Sequence, residues 1–233
     1  MRPEPPDTPT GRVDNRPAWQ RKTDGEQRWW VALAILSAIA LQTLLPNRFV
    51  LHPKFVVQAI ELVALVVLVV THPERMSARS QRVRTASIAL LAFLALANAA
   101  SVILLVREIT SGHALAANEL LLGGGEIWLT NMILFALWYW EYDRGGPAER
   151  AIGGTEVPDL LFPQMSDERL ARDWEPIFID YFFVSFTNST AFSPTDTMPL
   201  SRWCKVLFMV QSAISLVTVA LIAARAVNIL PGN

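Results

Sequence analysis

Three stretches of this chain carry no charge at all: residues 29–47, 85–106 and 206–224, which are 19, 22 and 19 residues long. A helix needs about 17–25 mostly apolar residues to cross a bilayer, where its backbone groups must be satisfied internally. A soluble domain carries roughly 25% charged residues, whereas this one has 18%, with 52% hydrophobic. Together these predict an all-α, polytopic membrane protein. They exclude an ordinary soluble enzyme, a disordered chain and a nucleic-acid binder held by a basic surface.

The charged residues are concentrated between the apolar runs. Residues 1–28 hold five prolines, six Arg or Lys and five Asp or Glu, a composition that predicts a disordered, uncleaved tail. Trp29 and Trp30 follow Arg28, as suits a headgroup layer. Four strong hydrophobic segments follow, at about 29–46, 55–71, 85–106 and 118–141, forming a four-helix transmembrane region over 29–141. The connection from Thr71 to Thr85 contains Arg75, Arg79, Arg82 and Arg84 against Glu74 alone. The positive-inside rule places it and the tail in the cytoplasm, in a multi-pass protein of the bacterial inner membrane.

Residues 142–175 form a polar, acidic connection with eight acids, four arginines and several Gly and Pro breakers. After Trp174-Glu175-Pro176 comes a short apolar segment, about 176–190, then Ser193-Pro194-Thr195-Asp196 and a last helix over about 202–229. Fifteen residues of helix span about 22 Å, short of the roughly 30 Å hydrocarbon core. The chain therefore has five or six hydrophobic segments, of which the fifth fits a half-helix that enters and returns. Helix, polar turn and long helix over 176–233 is the layout of a pore loop.

Asp180-Tyr181-Phe182-Phe183-Val184-Ser185-Phe186-Thr187 through Arg225 resembles the pore module of the potassium-channel superfamily. Asp196 and Pro199 match that family's filter aspartate and following proline, and Ser201-Arg202 is similar to the start of its inner helix. The resemblance covers about 50 of 233 residues. The whole chain also resembles a bacterial integral membrane protein family. Where the channel filter has two glycines and a tyrosine, this chain has Ser193, Thr195 and Pro194. A filter that aims successive carbonyls at the ion relies on those glycines, so ordinary potassium selectivity is not expected. The resemblance implies a wider or closed pathway lined by Thr187, Asn188, Ser189, Thr190, Ser193 and Thr195, with Asp196 as a cation-favouring ring in a homo-oligomer, a tetramer if channel-like. Ser-Pro-Thr-Asp is equally an ordinary turn sequence.

Topology leaves three alternatives. With residues 72–84 cytoplasmic, the half-helix begins inside, whereas potassium-channel filters are entered from outside. Either the module is inverted, or the fifth segment crosses and makes six spans, or one earlier segment does not cross.

Glu61 and Glu126 are ionisable residues at membrane depth, where such groups commonly serve function. They fit proton relay or cation binding, or hydrogen-bonded packing with Asn131 or Gln211. Gln211, Ser215, Thr218 and Ile222 share one helical face, which suits either a pathway lining or helix packing. Gly123-Gly124-Gly125 allows close helix approach or a bend. Trp128, Trp138, Tyr139 and Trp140 fit interfacial anchoring.

Neither catalytic residues nor a metal or cofactor site is expected. His52, His72 and His113 lack metal-ligand spacing, Cys204 is the only cysteine, and there is no H-E-x-x-H, P-loop or G-x-S-x-G. The expectation is a channel-like membrane protein passing monovalent cations with weak selectivity. The alternatives are an ion- or proton-coupled carrier using Glu61 and Glu126, or a non-conducting scaffold.

Overall fold

The computed structural model describes residues 16–27, 29–71, 81–111, 116–153, 157–190 and 196–229. Among them helix dominates. The apolar runs become α1 (Trp29–Leu44), α2 (Lys54–Thr71), α3 (Gln81–Thr110) and α4 (Ala117–Tyr142). The polar connection folds into two short helices, α5 (Pro147–Ala151) and α6 (Glu168–Ala171), with a two-residue strand β1 (Leu160–Leu161) between them. Then come α7 (Phe178–Thr190), β2 (Met198–Pro199) and α8 (Arg202–Ile229). Among the described residues three helices are long and apolar enough to cross a membrane, over Arg84–Thr110, Asn118–Gly145 and Arg202–Arg225; Trp29–Leu44 is a shorter apolar helix.

Side-chain contacts fix which helix ends lie together. Glu26, just before α1, bonds Trp140 near the end of α4 and the backbone of Phe178 at the start of α7. Arg84 near the start of α3 pairs with Glu141 of α4. β1 and β2 pair antiparallel, Leu160 with Pro199 and Leu161 with Met198, and bring the approach to α8 to this same end. At the opposite end Lys54 Nζ donates to the Leu45 carbonyl at 2.6 Å, closing the α1–α2 hairpin. Arg48 there lies 3.6 Å from Glu108 and 3.4 Å from Glu119, tying that hairpin to the end of α3 and the start of α4.

Two apolar clusters fill the bundle. The larger, around Leu94, Leu134, Leu137, Tyr181 and Val184, joins α1, α3, α4, α7 and α8; the smaller gathers Leu45, Phe49, Leu105, Leu120 and Ile127 at the opposite end. In a bilayer apolar burial does not distinguish a neighbouring helix from lipid, so close packing and polar contacts carry association. The glycine triplet of α4 shows this. A Cβ on Gly123 would lie 2.8 Å from the Phe49 ring, and one on Gly124 would run into the Ile222 side chain of α8, while Gly125 faces open space.

Composition predicts disorder through residue 28, but residues 16–27 lie packed on the fold. Trp19 is buried beneath the Arg144 guanidinium, 5.1 Å from its ring centre. Thr23 N–H donates to the Ala151 carbonyl at 2.8 Å. One Trp and one Glu give this polar segment enough specific contact to settle. The tail's residues 1–15 lie outside the described residues. Tyr139 and Trp140, which fit interfacial anchors by sequence, are buried within the bundle.

Candidate functional site

The short helix α7 starts with half of a capping box: the Asp180 carboxylate accepts from Ile177 N–H at 2.8 Å. The next N–H, that of Phe178, is taken by Glu26 Oε1 at 2.7 Å. Both acids sit at the positive end of the helix dipole. Thirteen residues of helix reach about 20 Å, and α7 then ends at Thr190.

Below that start lies a buried polar knot. Asp143 Oδ2 accepts from the Tyr181 hydroxyl at 2.7 Å, and its Oδ1 accepts from the N–H groups of Asp159 and Leu160 at 3.1 and 3.2 Å. Asp159 Oδ2 accepts from Arg144 N–H at 2.8 Å and its Oδ1 from Trp203 Nε1 at 3.0 Å. The Asp159 carbonyl accepts from Leu200 N–H at 2.8 Å. Arg150 donates to the carbonyls of Trp140 and Asp143 at 2.6 and 3.0 Å, its guanidinium 5.0 Å from the Tyr181 ring centre. These bonds pin the end of α4 and the starts of α7 and α8 together. They also hold Arg144 at φ 54°, a left-handed conformation that a non-glycine residue rarely adopts without such support. Glu26 belongs to the knot's rim. Burial pushes its carboxyl above the ordinary range, opposed by the bonds from Phe178 and Trp140 and by the charge of Arg150.

Deeper along α7, Gln211 of α8 is the hub. Its Nε2 donates to Ser185 Oγ at 2.6 Å, Ser189 Oγ at 2.7 Å and the Ser185 carbonyl at 3.0 Å. Its Oε1 accepts from the Tyr139 hydroxyl at 2.6 Å and Asn188 Nδ2 at 2.8 Å. Asn188 also reaches the Phe208 carbonyl at 3.2 Å, and Ser212 Oγ donates to Asn188 Oδ1 at 3.0 Å. Ser185 Oγ donates in turn to the Met132 carbonyl of α4 at 2.6 Å. The knot holds the starts of α7 and α8 at one end, and the pairings of 185 and 189 with 211, and of 188 with 208 and 212, place the two helices side by side at similar depth from those starts. The chain therefore leaves α7 at depth and is back at the starting end by β2.

The sequence-selected residues separate into groups. Asn188, Ser189 and Gln211 meet in the hub, buried inside the single chain. Thr187 is half-buried and Thr190 exposed, each donating its hydroxyl to carbonyls of its own helix. Asp196 is exposed beside β2, whereas Ser193 and Thr195 lie outside the described residues. Ser215 and Thr218 are buried on α8, their hydroxyls without a hydrogen-bond partner among the described residues. Glu61 is fully buried on α2. Glu126 is partly exposed on α4, with the Lys54 charge nearby. No group of three or more His, Cys, Asp or Glu side chains suited to a metal occurs among the described residues. Sequence reasoning missed Ser185, Tyr139, Asp143, Asp159 and Glu26. Only Ser185 left a local signal, lying one helical turn before Ser189. No protein-family model matches this chain, and neither a search of curated proteins nor one of solved structures finds a match.

Proposed function

We propose that this is a channel-like protein of the bacterial inner membrane in which α1–α4 and α8 cross the bilayer and α7 enters and returns without crossing. The observation that carries the reading is the shared origin of α7 and α8. Glu26 holds the start of one, the Asp143–Asp159 knot holds the start of the other, and the Gln211 hub aligns them in parallel. An α7 of about 20 Å would end well inside a hydrocarbon core of about 30 Å.

The tail, the start of α3 and the 142–175 connection share one end, and the arginines of 75–84 assign that end to the cytoplasm under the positive-inside rule. The module is then inverted relative to a potassium channel, its half-helix entering from inside. The carbonyl end of α7 carries partial negative charge toward mid-membrane, which favours a monovalent cation. In a homo-oligomer, a tetramer by the channel resemblance, the pathway runs past Thr187 and Thr190. Asp196 forms a carboxylate ring at the cytoplasmic mouth. Asn188, Ser189 and Gln211 act as positioning residues that set the depth of the half-helix.

The test is cation flux through liposomes containing the purified protein. Monovalent cations should pass with little discrimination, and Asp196→Asn should reduce their flux several-fold without unfolding the protein. Absence of flux under every imposed gradient removes the channel reading.

A further inference from the structure

Away from α7 and α8, the first three helices meet in a second polar region that the channel reading does not use. It begins at the end of α1. The Gln42 carbonyl lies four residues before Pro46, which has no N–H to complete the helical bond. Gln58 of α2 takes that role, its Nε2 donating to the Gln42 carbonyl at 3.2 Å. Lys54 serves the Leu45 carbonyl in the same way. Side chains of α2 thus cap carbonyls that the end of α1 leaves open.

The Gln42 side chain has no such partner. It is 5% exposed, and its Nε2 reaches no acceptor among the described residues. It lines a small cavity together with Gln58 of α2 and Ala97 and Ser101 of α3, and that cavity has room for about one water molecule. Gln58 and Ser101 are also more than nine-tenths buried. Gln58 uses its side-chain nitrogen on the Gln42 carbonyl and keeps its amide oxygen as an acceptor. Ser101 Oγ donates to the Ala97 carbonyl at 3.2 Å, so its oxygen is likewise left to accept.

The lining therefore brings one unpartnered donor and two acceptor oxygens around a single small space, and none of its residues is charged or titratable. An amide N–H without a partner in an apolar interior is costly. A cation would meet the Gln42 N–H group with the wrong sign, and an anion would meet two oxygens. A neutral molecule that accepts one hydrogen bond and donates two fits both the polarity and the size. We propose that one ordered water molecule is bound at this junction, accepting from Gln42 Nε2 and donating to Ser101 Oγ and Gln58 Oε1. Such waters are part of a fold where buried polar groups converge. This one ties α1 to α3 in a setting where apolar contact does not distinguish a neighbouring helix from lipid. It fastens the α1–α2 hairpin at the end opposite the Asp143–Asp159 knot.

The test uses full-length protein in detergent. Ala97→Val adds two methyl groups to the lining and should displace the water, leaving Gln42 Nε2 unpaired. In Gln42→Met, of similar length, no donor needs the water. Ala97→Val should therefore lower the thermal unfolding midpoint by several degrees more in the wild-type chain than in Gln42→Met. Crowding and the lower helix propensity of valine act alike in both backgrounds. A loss in the wild type equal to or smaller than that in Gln42→Met overturns the proposal. A second measurement sees the water itself. With isotope-labelled glutamine, the Gln42 side-chain amide, assigned by its disappearance in Gln42→Met, should show a nuclear Overhauser effect from water that is lost in Ala97→Val. No effect in the wild type overturns the site, and an effect that survives in Ala97→Val arises from the Ser101 hydroxyl and overturns it too. Should Ala97→Val fail to fold, the wild-type spectrum decides alone. Liposome flux enters neither measurement, so this site and the channel reading fall separately.

Discussion

Glu26 Oε2 accepts from Trp140 Nε1 at 2.7 Å, joining a residue of the N-terminal segment to the far end of the fourth helix. Its other oxygen caps α7 through Phe178 N–H. One carboxylate thereby ties the tail, α4 and α7 into a single unit.

Replacing Glu26 by Ala removes both bonds and leaves the Trp140 and Phe178 donors without their partner. The cost should be about 1–3 kcal/mol, the range for leaving a buried donor unsatisfied. Limited proteolysis should then cut within residues 16–27 at a protease concentration that leaves the wild type intact. Unchanged cleavage would show that Trp19 and Thr23 suffice to hold the segment.

Burial raises the Glu26 carboxyl above its ordinary value, which fixes the sign of a pH effect. A carboxyl whose folded value is raised contributes most when protonated, and that contribution is lost as pH rises through the raised value. Docking of residues 16–27, measured by amide hydrogen exchange corrected for intrinsic rates, should therefore weaken as pH rises from the ordinary carboxyl value of about 4.3 through the raised folded value. Glu26→Gln should flatten that slope. A slope that survives the substitution would assign it to another group.

The Gln211 hub should behave as a coupled unit. Gln211→Leu strips partners from Tyr139, Ser185, Asn188 and Ser189 together and should destabilise by about 2–3 kcal/mol, given typical intramembrane hydrogen-bond values of about 0.6–1.7 kcal/mol each. In a double-mutant cycle with Ser189→Ala, the effects should be non-additive by about 0.5–1.5 kcal/mol. Additive effects would mean the two side chains act independently.

The glycine triplet gives a graded series on one helix. Gly125→Ala should be neutral or stabilising by up to about 1 kcal/mol, the helix-propensity gain where nothing is displaced. Gly124→Ala should lower the thermal midpoint, and Ile222→Ala in the same chain should restore part of the loss by removing the side chain that the new Cβ meets. Equal behaviour at 124 and 125 would contradict the close approach of α8.

Side-of-membrane labelling checks the arrangement of ends. In a Cys204→Ser background, cysteines placed at Lys22 and at Ser166 should react with an impermeant thiol reagent from the same side, and one at Ser111 from the other. Labelling of positions 22 and 166 from opposite sides would break the contact between the tail and the 142–175 connection.

The helices were legible because a hydropathy run is local. The expected 118–141 and 202–229 correspond to Ala117–Tyr142 and Arg202–Ile229, and the short fifth segment ends at Thr190 as expected. The polar residues on the α7 and α8 faces were also visible, since periodicity alone groups Gln211 with Ser215 and Thr218. Their partners were not. Tyr139 lies 72 residues from Gln211 and Glu26 lies 152 from Phe178, and no periodicity links positions so far apart. Composition misled at the tail for a related reason. It averages over Pro, Arg and Asp, whereas Trp19 and Glu26 each act through a single specific contact.

The distance in sequence between Glu26 and Phe178 also bears on how the chain is made. Synthesis runs from the N-terminus, so Glu26 and α1 emerge from the ribosome 152 residues before the N–H that Glu26 will cap. Through the making of four apolar helices, that carboxylate stays hydrated and the segment around it undocked. Closure of residues 16–27 is therefore among the last steps available to the nascent chain. A product truncated ahead of α7 would keep the contacts of this segment with Trp140, Arg144 and Ala151 and lack the one with Phe178, so the last tie of the N-terminal segment is made only by a chain that has reached α7.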